Sequence, residues 1–94
     1  MTIRDRIREA LELRSHTSLQ ISQQVGVAQG EVAGHLQHLE RSLPHRGLQL
    51  VVEPARCLAC GFTFGERRRF AKPSRCPECR SERIAPPQFS VLPR

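Results

Sequence analysis

Cys57, Cys60, Cys76 and Cys79 are the only thiols in this 94-residue chain, and they form two Cys-x-x-Cys pairs with fifteen residues between them. That spacing is the one expected of a four-thiolate metal site. Each pair folds as a knuckle that aims two sulphurs at one point. Two knuckles close a tetrahedron around zinc and leave no open position for a substrate. Gly61, directly after Cys60, suits a turn that needs a positive backbone dihedral. Pro77 pre-sets a turn dihedral inside the second knuckle. The expected cofactor is one structural Zn2+ per chain.

Other chemistries for these thiols fit less well. Two disulfides need an oxidising compartment. The opening stretch "MTIRDRIREALEL" is charged throughout and lacks the apolar middle of a secretory signal. No apolar run approaches the roughly 20 residues of a membrane span. A cytoplasmic location is therefore expected. A thioredoxin-like redox pair uses one Cys-x-x-Cys at the start of a helix, not two around a basic segment. Iron sits in similar knuckles in rubredoxin, but nothing else here suggests electron transfer. The closed site, and the lack of a nucleophile or phosphate-loop motif, argue against an enzyme and against a small-molecule substrate. His35 and His38 lack a third ligand in sequence reach. A four-thiolate site couples binding to folding, which suits a structural metal better than a metal sensor.

Charge is unevenly spread. The chain carries a net charge of +6. Residues 1–55 hold six arginines and six acids and sum to zero. Residues 56–83 hold eight basic side chains, Arg56, Arg67, Arg68, Arg69, Lys72, Arg75, Arg80 and Arg83, against Glu66, Glu78 and Glu82, a sum of +5. Four thiolates around a divalent cation leave about −2, which offsets only part of that charge. The surplus makes "ERRRF", with Lys72 and Arg75 behind it, a candidate surface for phosphates, which the planar guanidinium fork suits. Phe62, Phe64 and Phe70 are expected to cover the metal site and the joint to the helices rather than to stack on bases.

Positioning these groups falls to a small scaffold. With 4 % aromatic residues and no Trp or Tyr, the core must be Leu, Ile and Val, and a chain this short gains from a metal staple. Thr2 with Asp5 caps a first helix whose inward side is Ile3, Ile7, Ala10 and Leu11. Thr17 with Gln20 caps a second, with Leu19, Ile21 and Val25 inward and Gly26 at its end. A third helix runs from about Gly30 to Ser42, with the stripe Val32, Leu36, Leu39 and Leu43, and is stopped by Pro44 and Gly47. "LQLVVEP" reads as a strand, and one more short strand is expected around Gln88–Leu92. The expected boundaries are 1–54 for the helices and first strand, 55–84 for the cysteine segment, and 85–94 for the returning strand and tail. The outward residues of the third helix are expected to be Gln29, Glu31, Gly34, His35 and His38, with Arg41 its first Lys or Arg.

"SLQISQQVGVAQGEVAGHLQHLERSL" resembles a helix-turn-helix of the ArsR type, with Val32, His35, Leu36 and Leu39 in the places of a V-x-x-H-L-x-x-L run. With "LVVEPARCLACGF", "KPSRCPECRSERI" and "PPQF", nearly the whole chain resembles a family of predicted prokaryotic transcriptional regulators. In that family a winged helix-turn-helix is fused to a rubredoxin-like zinc ribbon that sits in place of the wing. The resemblance implies an α+β fold of that kind, double-stranded DNA as partner, and transcriptional control. The third helix would then offer Gln29, His35, His38 and Arg41 to the groove. Arg67, Arg68, Arg69, Lys72 and Arg75 of the ribbon would grip phosphates. Glu31 and the late first arginine leave this helix poorly charged for DNA. They keep a second expectation open, an adaptor that docks the ribbon on transcription machinery. Homodimerisation is left open, and RNA binding ranks third.

Overall fold

Thr2 and Asp5 form a complete capping box at the start of α1 (Ile3–Leu13). The Asp5 N–H donates to Thr2 Oγ at 3.1 Å, and the Thr2 N–H donates back to the Asp5 carboxylate at 3.2 Å. The computed structural model describes residues 2–65 and 70–94. Ile7, Ala10 and Leu11 are the buried side of α1. Ile3, one turn earlier at the open end of the helix, departs from the expected pattern and stays 41 % exposed.

A second capping box starts α2 (Ser18–Val25): the Gln20 N–H donates to Thr17 Oγ, and the Thr17 N–H donates to Gln20 Oε1. Ile21 and Val25 are buried, but Leu19 is 49 % exposed, against expectation. At about 100° per residue it lies roughly 200° around the helix from Ile21, on the opposite side. Gly26 ends α2 with φ 83°, a conformation glycine adopts without steric cost. Ser22 Oγ donates to the Val27 carbonyl, and Val27 turns inward.

Helix α3 (Gln29–Ser42) buries Val32, Leu36 and Leu39, and the stripe continues through Leu43 into a 3₁₀ turn, Leu43–Arg46. Pro44 sits inside that turn. The reversal falls at Gly47, with φ 73°.

The chain then enters β1 (Leu48–Glu53) and β2 (Arg56–Cys57), and returns through β3 (Ile84–Ala85) and β4 (Gln88–Pro93). β1 and β4 pair antiparallel from Leu48↔Pro93 to Glu53↔Gln88, and β2 and β3 pair through Arg56↔Ala85 and Cys57↔Ile84. Both cysteine pairs therefore lie between the two long strands. The two-residue strands β2 and β3 were not foreseen, because so short a pair carries no alternation to read.

His16, in the α1–α2 turn, is buried. Its N–H donates to the Phe89 carbonyl at 2.9 Å, and the Phe89 N–H donates back at 2.8 Å. Its Nδ1 lies 2.9 Å from the Arg14 carbonyl, which only accepts, so Nδ1 carries a proton. Its Nε2 faces the Gln24 side-chain amide at 2.7 Å. The turn is thereby tied to β4.

Two cores result. One joins the helices to Phe89 and Val91, with Leu48, Leu50, Val52 and Phe70 at its margin. The other holds Ala55, Cys57, Cys76 and Ile84, margined by Phe62 and Phe64. As expected of these rings, Phe62 and Phe64 meet edge to face at 5.2 Å beside the cysteines, and Phe70 lies 6.1 Å from Phe89 at the helical core. No helix among the described residues is long and apolar enough to cross a membrane.

Because the larger core contains no cysteine, chelation should unfold the cysteine segment and leave most of the helical circular dichroism. A cooperative loss of all helix on chelation would show that the Phe70–Phe89 contact fuses the two cores into one unit.

Candidate metal centre and basic surface

The two knuckles are built alike. In the first, the Cys57 N–H donates to the Phe62 carbonyl and the Gly61 N–H to the Cys57 carbonyl. In the second, the Cys76 N–H donates to the Ser81 carbonyl and the Arg80 N–H to the Cys76 carbonyl. All four bonds measure 2.8–2.9 Å. In each knuckle the first cysteine is buried and the second is exposed. The Glu78 N–H donates to Cys76 Sγ at 3.4 Å.

The four Sγ atoms lie within 4.8 Å of one another, with Cys57–Cys79 at 3.5 Å and Cys60–Cys76 at 3.6 Å. A tetrahedron with metal–sulphur bonds of about 2.3 Å has edges of about 3.8 Å, so this donor set fits zinc. Among the described residues these four are the only cluster of three or more groups able to hold a metal. His35 and His38 form no such group.

The thiols also show what a cation resolves. Burial raises the Cys57 thiol, but the Cys60 and Ala59 N–H groups and the neighbouring sulphurs outweigh it and bring it down to about 6. The Phe62 N–H favours the Cys60 thiolate, yet burial and the three other sulphurs push that group up to about 12. The Ser81 N–H likewise lowers Cys79, and Cys57 and burial raise it on balance. One thiolate forms readily and its neighbours then resist ionising. A divalent ion at the centre removes that conflict, so its binding releases protons.

Gly61 and Arg80 occupy the same place in the two knuckles, both with positive φ, 82° and 62°. Glycine adopts this geometry freely, whereas for arginine the left-handed region costs about 1–2 kcal/mol. Among the described residues Arg80 is the only non-glycine with positive φ. Sequence reasoning passed over it. The signal was available: Arg80 follows Cys79 as Gly61 follows Cys60.

Of the residues expected to meet DNA, Arg67, Arg68 and Arg69 lie outside the described residues. Lys72 and Arg75 are exposed, as are Arg56, Arg80 and Arg83, and none of these five makes an ion pair among the described residues. On α3, Gln29, Glu31, Gly34, His38 and Arg41 are exposed and His35 is half-buried. Gln29 Nε2 reaches Ser18 Oγ at 3.5 Å. His35 Nδ1 is buried with no hydrogen-bond partner among the described residues. His38 lines a cleft against the start of α1. Gln37, one turn before Arg41 and opposite the Val32–Leu36–Leu39 stripe, is exposed as well.

Comparison with known proteins agrees with this construction. Residues 2–51 match the family described as PF0610-like, N-terminal, and residues 54–92 match the PF0610 rubredoxin-like zinc beta-ribbon domain. The chain is similar to the solution NMR structure of protein PF0610 from Pyrococcus furiosus. That similarity has a TM-score of 0.79 and 27 % identity, and covers 98 % of this chain and 90 % of the other. No curated protein gives a significant match. The four cysteines thus form the structural zinc site of a rubredoxin-like ribbon.

Protein purified without added metal should contain one zinc per chain, and Cys60→Ser should abolish it. A folded ribbon with metal content near zero would contradict the assignment. Arg80→Gly should stabilise the metal-loaded ribbon by about 1 kcal/mol through relief of the left-handed strain, read as slower zinc loss to a chelator.

Proposed function

This chain belongs to the PF0610-like family, and on that premise we propose that it is a DNA-binding transcriptional regulator of the winged helix-turn-helix, ArsR-like kind acting in the cytoplasm. The zinc ribbon grips phosphates, and α3 is the candidate base reader. One observation carries this reading. Arg56, Lys72, Arg75, Arg80 and Arg83 are exposed without carboxylate partners among the described residues, so their charge is available to a polyanion.

The shape of α3 adds support. A Cβ built on Gly30 or Gly34 meets nothing within 4 Å, so this side of the helix is low and its backbone can approach a groove closely. Gln37 and Arg41 follow on the same side, and either can donate to base edges or phosphates. The metal is closed off by four protein ligands, and no catalytic role is assigned to it.

A second reading, an adaptor that docks on transcription machinery, is favoured by one feature. Leu58, between Cys57 and Cys60, is 53 % exposed at the knuckle. An exposed apolar side chain among arginines suits an acidic protein surface.

Binding to duplex DNA across a salt series separates the two. Replacing Lys72, Arg75 and Arg83 with Gln should weaken binding to all duplexes alike. It should also flatten the log–log salt slope by about 0.9 for each phosphate no longer neutralised. Gln37→Ala with Arg41→Ala should instead cost the preferred site about 1–3 kcal/mol for each base edge no longer read, and leave non-specific binding unchanged. No duplex affinity even at low salt would favour the adaptor.

A further inference from the structure

We propose that the cleft between the start of α1 and the end of α3 is a binding site for a phosphate group. Arg4, Arg8, Arg46 and His38 converge on it, with Ser42 and Asp5 as the other polar groups, around a volume of about 280 Å³. The helical half has as many acids as arginines, yet three of its six arginines meet here against a single lining carboxylate. Folding, not composition, makes this place basic.

Asp5 offsets one of these charges. Its carboxylate accepts the Thr2 N–H at 3.2 Å and the Thr2 hydroxyl at 3.0 Å, closing the helix cap. Those two bonds hold it below the usual carboxylate range, and the positive field of Arg46 and Arg8 lowers it further. Arg4 and Arg46 make no ion pair among the described residues. Arg8 gives one N–H to Glu12 at 3.1 Å, while its Nε is buried and reaches no acceptor among the described residues. A buried donor without an acceptor is costly, so the Arg8 guanidinium keeps an unmet donor beside the cleft.

Three guanidinium groups around one opening suit a tetrahedral oxyanion, whose oxygens accept paired N–H donors. Asp5 and the Glu12 carboxylate paired with Arg8 leave the three arginines a surplus of +1, which a phosphate oxyanion can meet while accepting from several guanidinium N–H groups at once. His38 and Ser42 offer further donors, and the bound group would tie α1 to the end of α3 and to the 3₁₀ turn. The phosphate can come from a free phosphate monoester, near −1.5 to −2 at neutral pH, or from a nucleic-acid backbone, whose diester carries one negative charge; both offer non-bridging oxygens to the guanidinium N–H groups.

The test uses the zinc-loaded full chain and inorganic phosphate. Amide NMR shifts are followed at constant ionic strength, with chloride as the reference. Wild type should show saturable shifts at Thr2, Arg8, His38 and Ser42. R4Q/R46Q should weaken the binding about tenfold or more, and R6Q, on α1 outside the cleft, should not. If free phosphate does not saturate but R4Q/R46Q flattens the salt slope of duplex binding relative to R6Q, the phosphate is that of a nucleic acid. Neither effect, or equal binding by R4Q/R46Q and wild type, overturns the site. Because the phosphate arm involves no DNA, its outcome is independent of whether the chain is a regulator.

Discussion

Four sulphurs held within 4.8 Å of one another cannot all be thiolates unless a cation lies among them. That electrostatic constraint governs the second half of the chain. Among the described residues the core around the cysteines has four buried members, Ala55, Cys57, Cys76 and Ile84, and two of them are ligands. Apolar burial on that scale does not offset the conformational entropy of ordering some thirty residues at about 1–2 kcal/mol each. Metal–thiolate bonds therefore replace the hydrophobic core that this segment lacks, and folding and metal binding become one process.

The cysteine segment in turn relies on the β1–β4 seam. Glu53 and Gln88 face each other at its end, so the chain leaves and returns to the helical unit at one point. Phe89 joins several of these elements. Its backbone holds His16, and its ring is fully buried among the helices and near Phe70. Truncating a ring so placed costs about 3–5 kcal/mol, a large share of the stability of a small domain.

Charge follows this division. The ribbon takes its positive surface from composition, and its described cations stand clear of carboxylates. The helical half is neutral in sum and is polarised by packing, which sets Arg4, Arg8 and Arg46 around one cleft and leaves α3 with a low, weakly charged outer side. Arg80 shows the same separation at the scale of one residue. A cation is kept where backbone geometry favours glycine, so local stability and surface charge oppose each other there.

The sequence by itself determined the metal centre, both capping boxes, the α3 stripe, the strand Leu48–Glu53 and a last strand around Gln88–Leu92, which the structure extends by one residue to Pro93. Each rests on short-range chemistry: ligand spacing, a side chain reaching three residues along, or a period of burial. It also placed the basic surplus in the ribbon, because charge is a property of composition. Leu19 and Ile3 escaped this reading, since an apolar type does not say whether a partner layer reaches that far around or along a helix. Only the tertiary structure decided that His16 joins the α1–α2 turn to β4, that Phe70 lies against the helical core while Phe62 and Phe64 cover the cysteines, and that three arginines share a cleft. These are encounters between residues distant in the chain, and they are fixed by how the helices and the β1–β4 pair pack, which no local pattern encodes.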